Sequence, residues 1–215
     1  PSFISVFQGN IRPNTYVGIA AAFALYGDPG LTLTAVAIVL CVPTVNVFSV
    51  VALVRFASPP GSSFKLGRTI LPVIQNPLIV AALIGAVLNA TGIGSPPVIG
   101  PLIEILGRAA LPVGLMAVGA GLNIAAVRPA GRLVVWSATT KLLILPALTF
   151  LTSWFFGLGA LETGICLVYS TLPASISSYV LARQMGGNAE LMAGIVTATT
   201  LVAMATIPLA LTLLG

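Results

Sequence analysis

The sequence contains no histidine, and its 215 residues include only four acids, Asp28, Glu104, Glu162 and Glu190. Histidine is the commonest general base and metal ligand near neutral pH, so its absence removes most hydrolytic and metal-dependent chemistries. No acid pair stands in for it, so an enzyme is not expected, and neither is a cofactor. Charged residues of both signs make up 6% of the chain, against about 25% in soluble domains, which excludes a soluble globular protein. Nine basic residues and a net charge of +5 are too little for a nucleic-acid surface. Cys41 and Cys166 each fall inside an apolar run and read as small buried hydrophobes rather than as a disulfide or metal pair.

What is there is apolar surface: 58% hydrophobic residues and a mean hydropathy of +1.11. At about 20 residues per bilayer crossing, the chain divides into seven spans. They cover 2–26, 31–54, 76–91, 98–124, 132–156, 163–184 and 189–214. Gly27-Asp28-Pro29-Gly30 reads as a tight turn, and Asn76-Pro77 as a helix start. Residues 55–69, with Ser58-Pro59-Pro60-Gly61-Ser62-Ser63, form the one soluble-looking linker. Arg55, Lys65 and Arg68 follow the second span, Arg128 and Arg132 the fourth, and Arg183 the sixth. All therefore fall on one side, which the positive-inside rule makes cytoplasmic, with the C-terminus outside.

Two apolar runs are interrupted in the same way. Ile11-Arg12-Pro13-Asn14-Thr15 and Leu172-Pro173-Ala174-Ser175-Ile176-Ser177-Ser178 each set a proline beside small hydroxyl or amide residues. A proline in mid-membrane is either a simple kink or a true interruption. An interruption frees backbone N–H and C=O groups that hydrocarbon cannot satisfy, so they must face a cavity. A half-helix N-terminus at such a break suits an anionic group, and Asn14, Thr15, Ser175, Ser177 and Ser178 would add neutral donors.

A shift of 160 residues places Pro13 on Pro173, Ala22 on Ala182, Gly27 on Gly187 and Leu31 on Leu191. By the span count the two broken segments cross the membrane in opposite directions, an arrangement typical of transporters. Five spans separate the units. That predicts inverted five-helix repeats, with the chain beginning inside the first, so the intact protein is expected to have ten helices. The division is then 1–54 for the end of the first repeat, 55–75 for a cytoplasmic linker and 76–215 for the second repeat.

The stretch Gln8-Gly9-Asn10-Ile11-Arg12-Pro13-Asn14-Thr15-Tyr16-Val17-Gly18 resembles the fourth helix of the auxin efflux carrier family. So do Leu106-Gly107-Arg108-Ala109-Ala110-Leu111-Pro112, Lys141-Leu142-Leu143-Ile144-Leu145-Pro146 and the Leu172-Pro173 crossover resemble other parts of it. The bacterial malonate-transporter-like branch looks most similar. The resemblance implies an all-α polytopic fold whose fourth and ninth helices unwind at a proline and cross at mid-membrane. It also implies elevator-type alternating access.

On this reading the candidate substrate residues are Asn10, Arg12, Pro13, Asn14, Thr15, Pro173, Ser175 and Ser177. Arg12 either contacts an anion or snorkels to the cytoplasmic face. Lys141, roughly 13 Å deep in its span by helical rise, either bonds carbonyls at the crossover or serves as an internal cation. Glu104 and Arg108 share a helix face at i and i+4 and neutralise each other or couple an ion. With so little acid, proton coupling is favoured over sodium. The expected function is a secondary carrier of a small organic anion such as malonate, in the inner membrane, with a homodimer compatible with the fold. The alternatives are a seven-helix receptor or photoreceptor and a passive anion channel.

Overall fold

A computed structural model describes residues 2–57, 77–93, 97, 99–184 and 187–214. Lys65, Arg68, Gln75, Asn76 and most of the expected linker lie outside the described residues. The described chain is helical: α1 Ser2–Ile11, α2 Thr15–Ala57, α3 Pro77–Ala90, α4 Gly100–Ala120, α5 Val127–Thr139, α6 Leu145–Phe155, α7 Ala160–Ser170, α8 Ile176–Gln184 and α9 Ala189–Leu214. A 3₁₀ turn, Ile124–Ala126, leads into α5, and a π turn, Thr140–Ile144, joins α5 to α6.

Four segments are long and apolar enough to cross a bilayer: Thr15–Ser49, Gly100–Ala120, Gly131–Phe155 and Ala189–Thr212. The chain is thus an all-helical, multi-pass membrane protein. Its outward faces are covered in large apolar side chains, as contact with lipid requires. At the end of α6, Trp154, Phe155 and Phe156 are all exposed, and Phe155 meets Phe156 edge to face at 5.3 Å. An exposed tryptophan at a span end suits the bilayer interface.

The turn expected after the first span is present. Gly27 leaves helical geometry at φ 58° and ψ −145°, dividing α2 into two helices, and the chain folds back so that Gly30 packs against Ala22 and Tyr26. Glycine adopts that conformation without a Cβ clash, and Pro29 tolerates the first turn of the rod that follows. The fifth span starts close to its expected bound: Gly131, at φ 30° and ψ −108°, kinks α5, and the apolar rod runs from Gly131 to Phe155. Asn123 caps the 3₁₀ turn through its side chain, and α5 then begins at Val127.

The core is built on α9. Val134 of α5, Ala182 of α8 and Ala174 surround Leu191, Met192, Ile195 and Val196. Helix α1 docks on the same helix at Gly9, where an added Cβ would come within 2.7 Å of Ile195. Fully burying each such aliphatic contributes about 1.5–3 kcal/mol in water. Inside a membrane, close packing of small residues carries more of the association.

Candidate functional site

The two prolines end their helices for the same two reasons. Each lacks an N–H to continue the helix, and each pushes the residue before it out of the α region. Residues 12–14 and 173–175 are therefore non-helical, and they meet as an antiparallel pair with Pro13 opposite Ala174. Asn14 donates its backbone N–H to the Pro173 carbonyl at 2.9 Å, and Ser175 donates to the Arg12 carbonyl at 3.0 Å. Pro13 occupies the narrow, non-hydrogen-bonded position of this pair, where a missing N–H costs nothing. The opposite N–H, that of Ala174, donates to Thr199 Oγ1 of α9 at 3.0 Å. Both expected breaks are real interruptions, and each supplies the other's backbone partners.

Two helices start at this bridge. Asn14 caps α2, its Oδ1 accepting from the Val17 N–H at 3.4 Å, and the Ser175 carbonyl accepts from Ser178 as α8 begins. The bridge and both starts border a cavity of about 460 Å³. Arg12, Pro13, Asn14, Thr15, Ser175 and Ser177 all line it, as do Tyr16 and Asn46. Arg12 Nη2 donates to Ser177 Oγ at 3.0 Å, and the hydroxyls of Ser175 and Ser177 lie 2.8 Å apart. Asn14 is 2% exposed, and its Nδ2 has no partner among the described residues. The far wall comes from α4, where a Cβ on Gly114 would run into the Tyr16 ring.

Two helices end at the bridge, and their ends are treated differently. The carbonyls of α7 are covered by neutral groups. Ser170 Oγ and Thr171 Oγ1 each donate to Leu167 O at 2.9 Å, and Thr171 Oγ1 also donates to Val168 O. The end of α1 instead receives a cation: Lys141 Nζ donates to the Asn10 carbonyl at 2.8 Å. Ser137, one turn earlier, donates to Asn10 Oδ1 at 2.7 Å. Lys141 lies in the π turn, and such turns are frequent where a helix must re-aim side chains. A positive group at a helix C-terminus is favourable because the last carbonyls carry partial negative charge.

The sequence candidates thus separate into four groups. Six line the large cavity. Pro173 is buried behind it and contributes its carbonyl, while Asn10 is held by Ser137 and Lys141 and does not border it. Lys141 borders a second cavity on the other side of Pro13. Glu104 and Arg108 form the expected i,i+4 ion pair at 2.6 Å, largely exposed on α4 and away from both cavities. Thr199 and Ser137 were not singled out in the sequence. Each is one hydroxyl in an apolar helix, and only the fold reveals what it bonds.

A family described as membrane transport protein matches residues 64–211, about two thirds of the chain. The match takes in Lys141 and the Pro173 break and begins after the Pro13 break. None of the curated proteins compared with the chain matches it.

Proposed function

The chain belongs to the membrane transport protein family, and from that premise we propose that it is a secondary carrier of a small organic anion, a mono- or dicarboxylate such as malonate. Family membership itself makes it a membrane transporter, in keeping with the auxin-carrier resemblance, and does not favour a receptor or an enzyme. The observation that carries the anion reading is the lining of the 460 Å³ cavity. It combines one arginine, two helix N-termini and several neutral donors, and among the described residues no carboxylate borders it. Positive helix ends and a partly buried guanidinium favour a carboxylate over a cation.

The remaining parts of the reading follow from this site. The substrate binds between the bridge and α4, and alternating access comes from elevator-type movement of the crossover unit against the rest. The register of the bridge supports inverted repeats. Pro13 lies opposite Ala174, and the 160-residue shift exchanges that pair with Pro173 opposite Asn14. On this basis the intact carrier has ten helices, in two inverted five-helix repeats divided at residues 55–75, within the malonate-transporter-like branch. It lies in the inner membrane with the loops of Arg55, Arg128 and Arg183 cytoplasmic, is driven by protons rather than sodium, and is compatible with a homodimer.

Uptake of radiolabelled malonate by proteoliposomes holding the carrier tests this reading. Saturable uptake, accelerated by malonate preloaded inside, is expected. Non-saturable flux without exchange stimulation would mean a channel, and no flux of any mono- or dicarboxylate would refute the anion reading.

A further inference from the structure

The crossover has a second face. Opposite the Arg12 cavity, and sharing Pro13 and Val45 as a partition, lies a cavity of about 310 Å³ between α2, α6 and α7. Lys141 stands in its wall. The lysine is 2% exposed and uses one of its three N–H donors, on the Asn10 carbonyl. Among the described residues no carboxylate pairs with it; the ion pair found there is Arg108 with Glu104. A buried ammonium with donors to spare is unfavourable unless something accepts them. Tyr169 lines the same space, and its hydroxyl is buried with no partner among the described residues. The other two hydroxyls in the wall are already used, Thr149 on Leu145 O and Ser170 on Leu167 O, both at 2.9 Å. The rest of the wall, including Ile11, Pro13, Ala37, Val45, Leu145 and Ile165, is apolar.

We propose that this cavity is a second anion subsite, built for one carboxylate on an apolar body. Lys141 and Tyr169 receive the carboxylate, and the aliphatic wall receives the body. At about 30 Å³ per water-sized group the cavity holds roughly ten non-hydrogen atoms, the size of an eight-carbon monocarboxylate. A dicarboxylate as short as malonate suits it poorly, because its second charge would face the apolar wall. A free short acid is held whole, whereas the longer chain of a bilayer fatty acid would leave much of its length outside the wall. The subsite goes beyond the anion-carrier reading and is tested without transport, so failed malonate uptake leaves its result intact.

Cys41 and Cys166 line the same cavity and are free thiols, so they report its occupancy. The full chain in nanodiscs is labelled with N-ethylmaleimide, and each cysteine is followed by mass spectrometry. About 10 mM octanoate is expected to slow labelling of both by about fivefold or more, as near-saturating occupancy requires. Malonate and palmitate at equal concentration are expected to leave the rates unchanged. Lys141→Met removes the protection. Tyr169→Phe, which keeps the ring, weakens it by about tenfold in octanoate concentration and serves if Lys141→Met does not fold. The proposal is overturned if octanoate gives no protection, if palmitate alone protects, or if Tyr169→Phe or a folded Lys141→Met protects like the wild type. It is also overturned if neither thiol labels, since the cavity would then be closed to small solutes.

Discussion

Arg12 and Ser177, 165 positions apart in the chain, are joined by a 3.0 Å hydrogen bond at the edge of the large cavity. The bond holds the guanidinium beside the starts of α2 and α8 without neutralising it, because serine carries no charge. Replacing Arg12 with alanine is expected to lower kcat/KM for malonate in proteoliposomes by at least about tenfold, the loss of one charge-assisted contact. Arg12→Lys should recover part of it, because the charge returns without the planar fork. Equal activity in all three would show that Arg12 does not face the substrate.

Pro173→Ala and Asn14→Ala strike the two sides of the bridge. Each is expected to abolish malonate uptake while the protein still reaches the membrane, as judged by surface labelling and blotting. The alanine at 173 allows the α region that proline denies to its predecessor, and the one at 14 removes the cap of α2. Unchanged uptake in both variants would place the substrate elsewhere.

Thr199→Val tests the support behind the bridge. The substitution is nearly isosteric but leaves the buried Ala174 N–H without an acceptor. Orphaning such a donor costs about 1–3 kcal/mol, so a fall in Tm of about 3–10 °C is expected for a chain of this size. A Tm within a degree of wild type would mean that the N–H finds water instead.

Gly114→Leu should act on transport rather than on folding. The new side chain collides with Tyr16 at the far wall, so α4 must move outward and the cavity must change shape. An increase in KM for malonate of about tenfold or more is expected, with membrane expression maintained. Leucine elsewhere on α4, at exposed Gly107 or Gly119, which do not border the cavity and where a Cβ meets nothing, should leave uptake unchanged.

How much of this was legible beforehand depended on whether a residue acts through its own covalent structure or through a distant partner. Pro13 and Pro173 break their helices by local chemistry, so both interruptions could be read from the sequence. The last helix, 189–214, also has its expected bounds because its apolar run is continuous. The pairing of Pro13 with Ala174, and of Lys141 with the Asn10 carbonyl, joins residues more than 130 positions apart, and no local pattern encodes a register. Gly27-Asp28-Pro29-Gly30 was legible for the same local reason as the two prolines: Gly27 takes the positive φ of the reversal, and Pro29 falls in the first turn of the helix that follows. The π turn at Lys141 has no compositional mark, so a lysine expected at mid-membrane could be given a depth but not a direction.

The bridge also constrains how the protein is made. The backbone groups freed at Asn14 and Arg12 find their partners on Pro173 and Ser175, residues synthesised roughly 160 positions later. At about 5–20 residues per second, the first half-helices must wait roughly 10–30 s before those hydrogen bonds exist. Through that interval hydrocarbon offers no substitute, so the segment around Pro13 has to stay beside water or an insertion factor until the second crossover arrives. The joint that borders the large cavity is therefore also a checkpoint in biogenesis, one that closes only when the two halves of the chain have entered the membrane.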